Sequence, residues 1–234
     1  MKKLWMVCLL ASTLLASAPL FAQNGQNGQL DKVLDEMNAA SEHFRSAAAD
    51  FSSDNYTAVV QMHQEQGGTI AFRRVRSSME MKVHITSQGG QPASRELLYK
   101  DGVLDFYEPN LKQETIYSAG KNRQVAETLL TLGFGVSGQE LEKDWQVSFE
   151  GMETMDGVNV AKLNLVSKSQ KVRDNFSHIL LWVDPLRSLA YKEKFFEPSG
   201  DTRTVIFSKI RYNTSLPDSM FRIKVAPGTK KIVK

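Results

Sequence analysis

The stretch Met79-Glu80-Met81-Lys82-Val83-His84-Ile85-Thr86 alternates strictly between apolar and polar side chains. A period of two is typical of a β-strand that packs one face on a core and exposes the other to water. Comparable short runs recur through most of the chain and are separated by Asp-Gly and Pro-containing turns. The sequence therefore predicts ten or eleven short antiparallel strands in a mainly β (α+β) fold, interrupted by helices at only two places.

Turn residues set the predicted connections between these strands. Gly67-Gly68 predicts a turn between a strand around Tyr56–Met62 and the strand that follows. Asp101-Gly102 and Asp156-Gly157 suit two-residue primed turns, so each predicts a hairpin. The last predicted strand is Phe221–Val225.

The two helical regions differ in length. Leu30–Ala49 carries apolar residues at i, i+3, i+4 spacing, which predicts one long amphipathic helix. Asn122–Leu132 has similar spacing and is stopped by Gly133. Ser137, with Glu140 three residues later, predicts a capping box and one further short helix.

The N-terminus has the layout of a secretory signal peptide. Lys2-Lys3 precede the apolar run Leu4–Leu15, and the small-residue stretch Ala16–Ala22 leads into a polar segment. We expect cleavage after Ala22 and export of the mature chain; the alternative is an uncleaved N-terminal anchor. The predicted organisation is a signal peptide at 1–22, a flexible leader at 23–29 and a single domain at 30–234.

Composition excludes several classes of function. The 234 residues are 41% hydrophobic and 24% charged, which is an ordinary globular composition. The formal charge of +3 falls to +1 without Lys2 and Lys3, so no surface for nucleic acid is expected. Cys8 is the only cysteine and lies in the predicted signal peptide, so the mature chain has no disulfide.

No motif indicates catalysis, a metal or a cofactor. The four histidines are scattered singly and lack metal-ligand spacing. Gly133–Gly138 matches G-x-G-x-x-G, but it follows a helix rather than a strand, so we interpret the glycines as a helix stop and a loop. A carboxylate pair formed by residues distant in sequence stays open, but nothing here predicts an enzyme.

A sheet of ten strands with one apolar face needs a cover, and the chain has little helix to supply it. The large apolar residues of the strands therefore predict either an ordinary core or a cavity for variable apolar ligands. The predicted cavity residues are Phe72, Met79, Met81, Val83, Ile85, Leu97, Tyr99, Leu104, Phe106, Trp145, Val147, Phe149, Leu163, Leu165 and Trp182. Leu34, Met37 and Phe44 of the long helix are the predicted lid residues.

Three stretches carry a resemblance to a known family. They are Gly68-Thr69-Ile70-Ala71-Phe72-Arg73-Arg74, then Leu97-Leu98-Tyr99-Lys100-Asp101-Gly102-Val103-Leu104-Asp105-Phe106-Tyr107-Glu108-Pro109, and finally Met220-Phe221-Arg222-Ile223-Lys224-Val225-Ala226-Pro227-Gly228. Their order and spacing resemble the LolA-like periplasmic lipoprotein carriers over nearly the whole mature chain. The resemblance implies a strongly curved, incomplete antiparallel β-barrel whose apolar concave face lies under a helical lid.

The resemblance also implies a function. Such carriers take acylated lipoproteins from an inner-membrane ABC transporter and pass them to an outer-membrane acceptor of the LolB type, and we expect a monomer. An arginine at the basic strand end ties the lid shut in the family. Arg74 is the aligned residue, but Val75 stands where the family usually has proline, so Arg73 and Arg76 stay open as alternatives. The alternative function is a lipid- or lipoprotein-binding envelope sensor of the same fold.

Overall fold

Twelve strands form one sheet in the computed structural model, which describes residues 21–118, 120, 127 and 129–234. The strands are β1 (Ser46–Thr57), β2 (Met62–Val75), β3 (Ser78–Gln88), β4 (Gln91–Lys100), β5 (Val103–Glu108), β6 (Gln113–Ser118), β7 (Trp145–Met155), β8 (Val158–Ser167), β9 (His178–Asp184), β10 (Leu189–Phe196), β11 (Thr202–Tyr212) and β12 (Lys230–Val233). Their order is β12-β6-β5-β4-β3-β2-β1-β11-β10-β9-β8-β7, and every pair is antiparallel except β12 with β6. The predicted mainly β fold is confirmed.

The sheet is strongly curved but is not closed into a barrel. β7 and β12 are its two edges. Six strands separate β3 from β7 in the sheet, yet Met79 of β3 and Trp145 of β7 line the same cavity and belong to one apolar cluster. The face that carries this cluster is therefore the concave face, and the predicted incomplete barrel is confirmed.

Among the described residues, the helices with defined bounds are α1 (Phe21–His43), α2 (Gly138–Asp144) and α3 (Gln170–Arg173), with 3₁₀ turns at Pro109–Leu111 and Asp218–Phe221. None of them, among the residues described, combines the length and the apolar character that crossing a bilayer requires. Ser137 and Glu140 form the predicted capping box at the start of α2. Most of the helix expected at 122–132 lies outside the described residues.

The long helix differs from the prediction at both ends. It already includes residues 23–29, which the sequence assigned to a leader, and it ends at His43 rather than Ala49. Residues Ser46–Ala49 instead begin β1, where they pair with β2 and Ala47 and Ala48 also pair with β11. Two neighbouring strands supply these residues with backbone hydrogen bonds, which outweighs the helix propensity of alanine.

The prediction of a turn at Gly67-Gly68 is wrong, because both glycines lie inside β2. The register of β2 against β3 shifts between them, so they form a bulge. A Cβ atom on Gly68 would lie 2.0 Å from the backbone oxygen of His84. Glycine here therefore permits a close approach of two strands.

The two Asp-Gly hairpins are confirmed. Asp101 and Gly102 have φ angles of 51° and 79°, and Asp156 and Gly157 have φ angles of 49° and 76°. Positive φ at both positions is the requirement of a primed turn, which matches the right-handed twist of the strands it joins.

The predicted strand Phe221–Val225 is wrong. Asp218–Phe221 is a 3₁₀ turn on the convex face, and the chain then continues without strand pairing to β12 at the far edge. Phe221 is 2% exposed and packs with Ala48 and Ala71 on the back of the sheet. The apolar residues that suggested a strand instead cover the convex face.

Candidate functional site: a lidded apolar concave face

Strand register places the apolar side chains of β2 to β5 in one row. Phe72 lies opposite Met81, Met81 opposite Tyr99, and Tyr99 opposite Leu104. Side chains directly opposite one another across a sheet share a face, so all four project from the concave side. Phe72, Met81 and Tyr99 are at most 3% exposed.

Most of the predicted cavity residues come together on this face. One continuous apolar cluster contains Phe72, Met79, Met81, Val83, Tyr99, Leu104, Trp145, Val147, Phe149, Leu163 and Leu165. Ile85, Leu97 and Phe106 share the face by register but lie outside the cluster. Leu97 and Phe106 are only half-buried, so the concave face becomes more open toward β4 and β5.

The placement of Trp182 in the cavity is wrong. Leu181 of β9 faces the concave cluster, so Trp182 points to the convex side. There it packs with Val160 and Tyr191, and its indole nitrogen donates to Glu153 Oε2 at 2.8 Å.

The lid consists of α1 and the segment Gly133–Asp144. Leu34, Met37 and Phe44 are each at most 4% exposed and pack into the concave cluster, although Phe44 follows the end of α1. Phe134, which sequence reasoning missed because it lies in an irregular segment, packs on the central strands of the sheet. Its ring stacks on Phe72 at 4.0 Å and meets the edge of Phe207 at 4.9 Å.

The glycines of the G-x-G-x-x-G match allow close contacts between the lid segment and its neighbours. Gly133 and Gly135 have φ angles of 73° and 70°, and a Cβ on Gly135 would lie 2.5 Å from the Phe44 ring. A Cβ on Gly138 would lie 2.4 Å from the backbone oxygen of Leu34 in α1. Gly135 and Gly138 therefore let the lid segment lie directly against Phe44 and α1.

Arg74 joins the two parts of the lid to the sheet. Its guanidinium donates to the backbone oxygen of Ser41 in α1 at 3.0 Å and to that of Gly135 at 2.5 Å. It also lies 5.7 Å from the centre of the Phe44 ring. Of the alternatives, Arg73 points to the convex face, and Arg76 is an exposed residue of the β2–β3 turn.

Glu127, which precedes the lid segment in the chain, makes a second polar connection to the sheet. Its carboxylate accepts from the backbone nitrogen of Met79 at 3.2 Å and from the hydroxyl of Tyr99 at 3.3 Å. Tyr99 is fully buried, so this carboxylate reaches into the margin of the apolar cluster.

A buried carboxyl also lies on the concave face and was missed at the sequence level. Glu193 is 7% exposed and lies opposite Leu181 and Val205. Burial raises its pKa to about 8, while the nearby guanidinium of Arg203 opposes the shift. Residues two positions apart in a strand share a face, so the apolar Phe195 could have placed Glu193 on the concave face.

The chemistry of this surface is that of apolar enclosure. The described part of the chain contains no group of three or more His, Cys, Asp or Glu side chains placed to hold a metal ion. The dominant groups are apolar side chains, and the few polar bonds at the margin attach the lid. Such an arrangement can shield an apolar ligand from water once the lid moves.

Comparisons with known proteins agree with this picture. No family model matches the chain. The outer-membrane lipoprotein carrier protein of Dechloromonas aromatica (strain RCB) is 27% identical over 222 residues, which cover 94% of this chain and 93% of the relative.

Two solved structures share the fold. An uncharacterised conserved protein from Thermus thermophilus superposes with a TM-score of 0.54 at 10% identity, covering 88% of this chain and 99% of that one. MucB superposes with a TM-score of 0.53 at 14% identity, covering 88% of this chain and 66% of that one. The chain is thus similar over nearly its full length to an outer-membrane lipoprotein carrier protein, and it shares its open curved sheet with these two solved structures.

Proposed function

We propose that the protein binds the acyl chains of lipoproteins between its concave face and its lid, and carries them through the periplasm. The donor is an inner-membrane lipoprotein-releasing transporter, and the recipient is an outer-membrane acceptor of the LolB type. The observation that carries the proposal is a lid of large apolar side chains on an apolar sheet, attached at its margin by a few polar bonds. The full-length relationship to a lipoprotein carrier supports it.

Physical chemistry explains why such a carrier is needed. Exposing an acyl chain to water costs about 0.8 kcal/mol per CH₂, which amounts to roughly 10 kcal/mol or more per chain. A free lipoprotein would therefore leave the membrane only very slowly. The carrier must offer an apolar surface of comparable size and then give the chain up.

The lid explains how the carrier gives the acyl chain up. Phe134, Met37 and Phe44 occupy the concave face in the closed form, so the protein does not expose that surface when it is empty. Acyl chains replace these side chains when the lid lifts, and closure favours release. A ligand can shift such an equilibrium only through its differential affinity for the open form.

Ligand displacement tests the binding step. Bis-ANS should bind the protein and should be displaced by a diacylated lipopeptide but not by the same peptide without acyl chains. Leu97→Glu, on the half-buried part of the concave face, should weaken lipopeptide binding because its carboxylate must be desolvated or protonated. The matched control is Ile206→Glu at an exposed convex position, which should bind like wild type.

Met81→Glu is a more severe version of the same test, because Met81 is 3% exposed. If Met81→Glu unfolds the protein, Met81 belongs to an ordinary core that stays packed. Leu97→Glu then still tests whether the concave face binds acyl chains. Displacement of bis-ANS that does not depend on the acyl chains would contradict the proposed function.

A two-stage assay tests the proposed latch. Release of lipoprotein from inner membranes is scored separately from transfer to an outer-membrane acceptor. Arg74→Leu should accept cargo but transfer it poorly, since it loses the bonds to Ser41 and Gly135 that favour the closed form. Arg211→Leu, at an exposed convex position of β11, is the control and should leave both stages unchanged. Normal transfer by Arg74→Leu would show that this arginine is not the latch.

An envelope sensor is the alternative within the same fold. MucB shares the architecture, but likeness at 14% identity shows the fold alone, and one fold hosts many functions. Acyl-dependent binding without any transfer to outer membranes would favour the sensor.

A further inference from the structure

A cavity of about 690 Å³ opens at the margin of the lid. It lies between the β2–β3 turn, the lid segment and the start of β7. Met79, Phe134, Leu141 and Trp145 form its apolar wall. Its volume is in the range of cavities that hold small organic ligands.

One wall residue has an unused hydrogen-bond donor. Trp145 is 2% exposed, and its indole Nε1–H has no hydrogen-bond partner among the described residues. The indole nitrogen is a donor only, so an acceptor must satisfy it. Buried donors in native proteins are almost always bonded, and an exception calls for an explanation such as a missing ligand.

The protein does not supply that acceptor from the carboxylates that line the cavity. Glu127 accepts from Met79 and Tyr99, Glu140 belongs to the capping box of α2, and Asp144 also takes part in interactions within the protein. Arg76 and Lys143, in contrast, are exposed lining residues and form no ion pair within the part of the chain that the structure describes. The margin of the lid therefore combines two exposed cations with an apolar wall that contains a buried N–H, which a ligand reaches when the lid shifts.

We propose that this cavity holds the acyl-glycerol ester end of a bound lipid, with Trp145 Nε1–H donating to an ester carbonyl oxygen. The inference rests on the proposed function and specifies which part of the ligand this margin recognises. The first methylenes of the chain contact Phe134 and Leu141, and the ester carbonyl is the acceptor that the indole lacks. Arg76 and Lys143 then face the more polar end of the molecule.

Ester and ether lipids separate this role from simple apolar binding, because an ether lacks the carbonyl oxygen. Wild type should bind a diester lipopeptide about 3- to 10-fold more tightly than the matching diether, which is the effect of one hydrogen bond. Trp145→Phe keeps the apolar ring, so it should bind both lipids with the affinity of the diether. Trp182→Phe, on the convex face, is the matched control and should retain the ester preference.

Nuclear magnetic resonance of [¹⁵N]tryptophan-labelled wild type gives a second measurement, which does not depend on whether a variant folds. The Trp145 Nε1–H resonance should move downfield with the diester and not with the diether. Equal affinity of wild type for the two lipopeptides and an unmoved resonance would overturn the inference while leaving acyl binding intact. Failure to bind either lipopeptide would contradict the proposed function itself.

A second pair of ligands identifies the source of the ester. The same comparison is made with diester and diether phosphatidylglycerol of equal chain length. An ester preference confined to lipopeptides assigns the cavity to lipoprotein, and one confined to the phospholipid assigns it to a membrane lipid. Preference in both pairs shows that only the shared acyl-glycerol group is recognised.

Discussion

Arg73 and Arg74 are neighbours in β2, but they serve opposite faces of the sheet. Arg73, on the convex face, pairs with Glu80 at 2.7 Å and Asp218 at 2.5 Å, and it lies 4.2 Å from the centre of the Phe221 ring. Arg74, on the lid side, bonds only to backbone oxygens among the described residues. The first arginine is held by charges, and the second by neutral groups that water can replace.

The partners of Arg73 also change its protonation. Burial by itself lowers the pKa of this guanidinium, but hydrogen bonds to Asp218 and Glu80 raise it overall. The hydrogen bond from Arg73 in turn lowers the pKa of Asp218. Charged hydrogen bonds and the buried ring of Phe221 thus attach the C-terminal segment to the sheet, whereas the contacts of Arg74 suit a lid that opens.

The largest effect on stability is expected from removing the phenylalanine that covers each face, Phe134 on the concave face and Phe221 on the convex face. Phe134→Ala should destabilise the closed form by about 3–4 kcal/mol, because it removes the contacts with Phe72 and Phe207. Bis-ANS fluorescence of the empty protein should therefore rise. Phe221→Ala should lower stability in urea without that rise, and equal bis-ANS binding by both variants would erase the distinction between the two faces.

Arg73→Leu should cost about 2–3 kcal/mol in the free energy of unfolding. The substitution leaves Glu80, which is 3% exposed, with Lys100 at 3.0 Å as its remaining ion-pair partner among the described residues. Urea denaturation at neutral pH measures the change, and acyl binding should be unaffected. An unchanged urea midpoint would mean that this ion network does not hold the C-terminal segment.

Glu193→Gln tests the buried carboxyl of the concave face. The folded-state pKa of Glu193 is about 8, against an ordinary value of 4.5, so the folded form binds the extra proton between these pH values. Wild-type stability therefore falls as pH rises from about 4.5 to 8, and the variant lacks this loss. At pH 8 the variant should be clearly more stable than wild type, and near pH 4.5 the two should match. Urea midpoints of wild type and variant, measured across this pH range, test the prediction. If the two midpoints change in parallel with pH, Glu193 is not protonated in the folded protein.

The smallest effect on stability is expected from Arg74→Leu. Its two bonds to backbone oxygens are partly replaced by water, so the global free energy of unfolding should fall by only about 1 kcal/mol. Hydrogen exchange should nevertheless quicken locally at the end of α1 and around Gly135. Exchange that accelerates uniformly over the sheet would indicate that the lid and the sheet unfold as one unit.

Local chemistry made part of this structure predictable. The alternation at Met79–Ile85, the Asp101-Gly102 turn and the Ser137–Glu140 capping box depend on side-chain period and backbone sterics within a few residues. These features appear where the sequence predicts them. The resemblance over three motifs also predicted the open barrel, whose curvature is a property of the whole sheet.

Other features depend on contacts between distant strands. Ile179–Val183 is apolar at every position, so the pattern could not assign Trp182 to a face, and only pairing with β8 and β10 did so. In β10 the register shifts between Ala190 and Lys192, which turns Glu193 to the concave side. Simple alternation from Ala190, without the bulge, would have placed Glu193 on the convex face.

The sequence by itself thus determined most of the strands, the two Asp-Gly turns and the family that the chain resembles, because those signals are local or are common to related sequences. Only the tertiary structure decided that Arg73 and Arg74 have different partners, that Phe134 fills the concave face and that the N–H of Trp145 meets no acceptor among the described residues. The physical reason is that partners and packing are fixed by register, bulges and curvature. These bring together residues that are far apart in the chain, such as Arg73 and Asp218, which are separated by 145 positions.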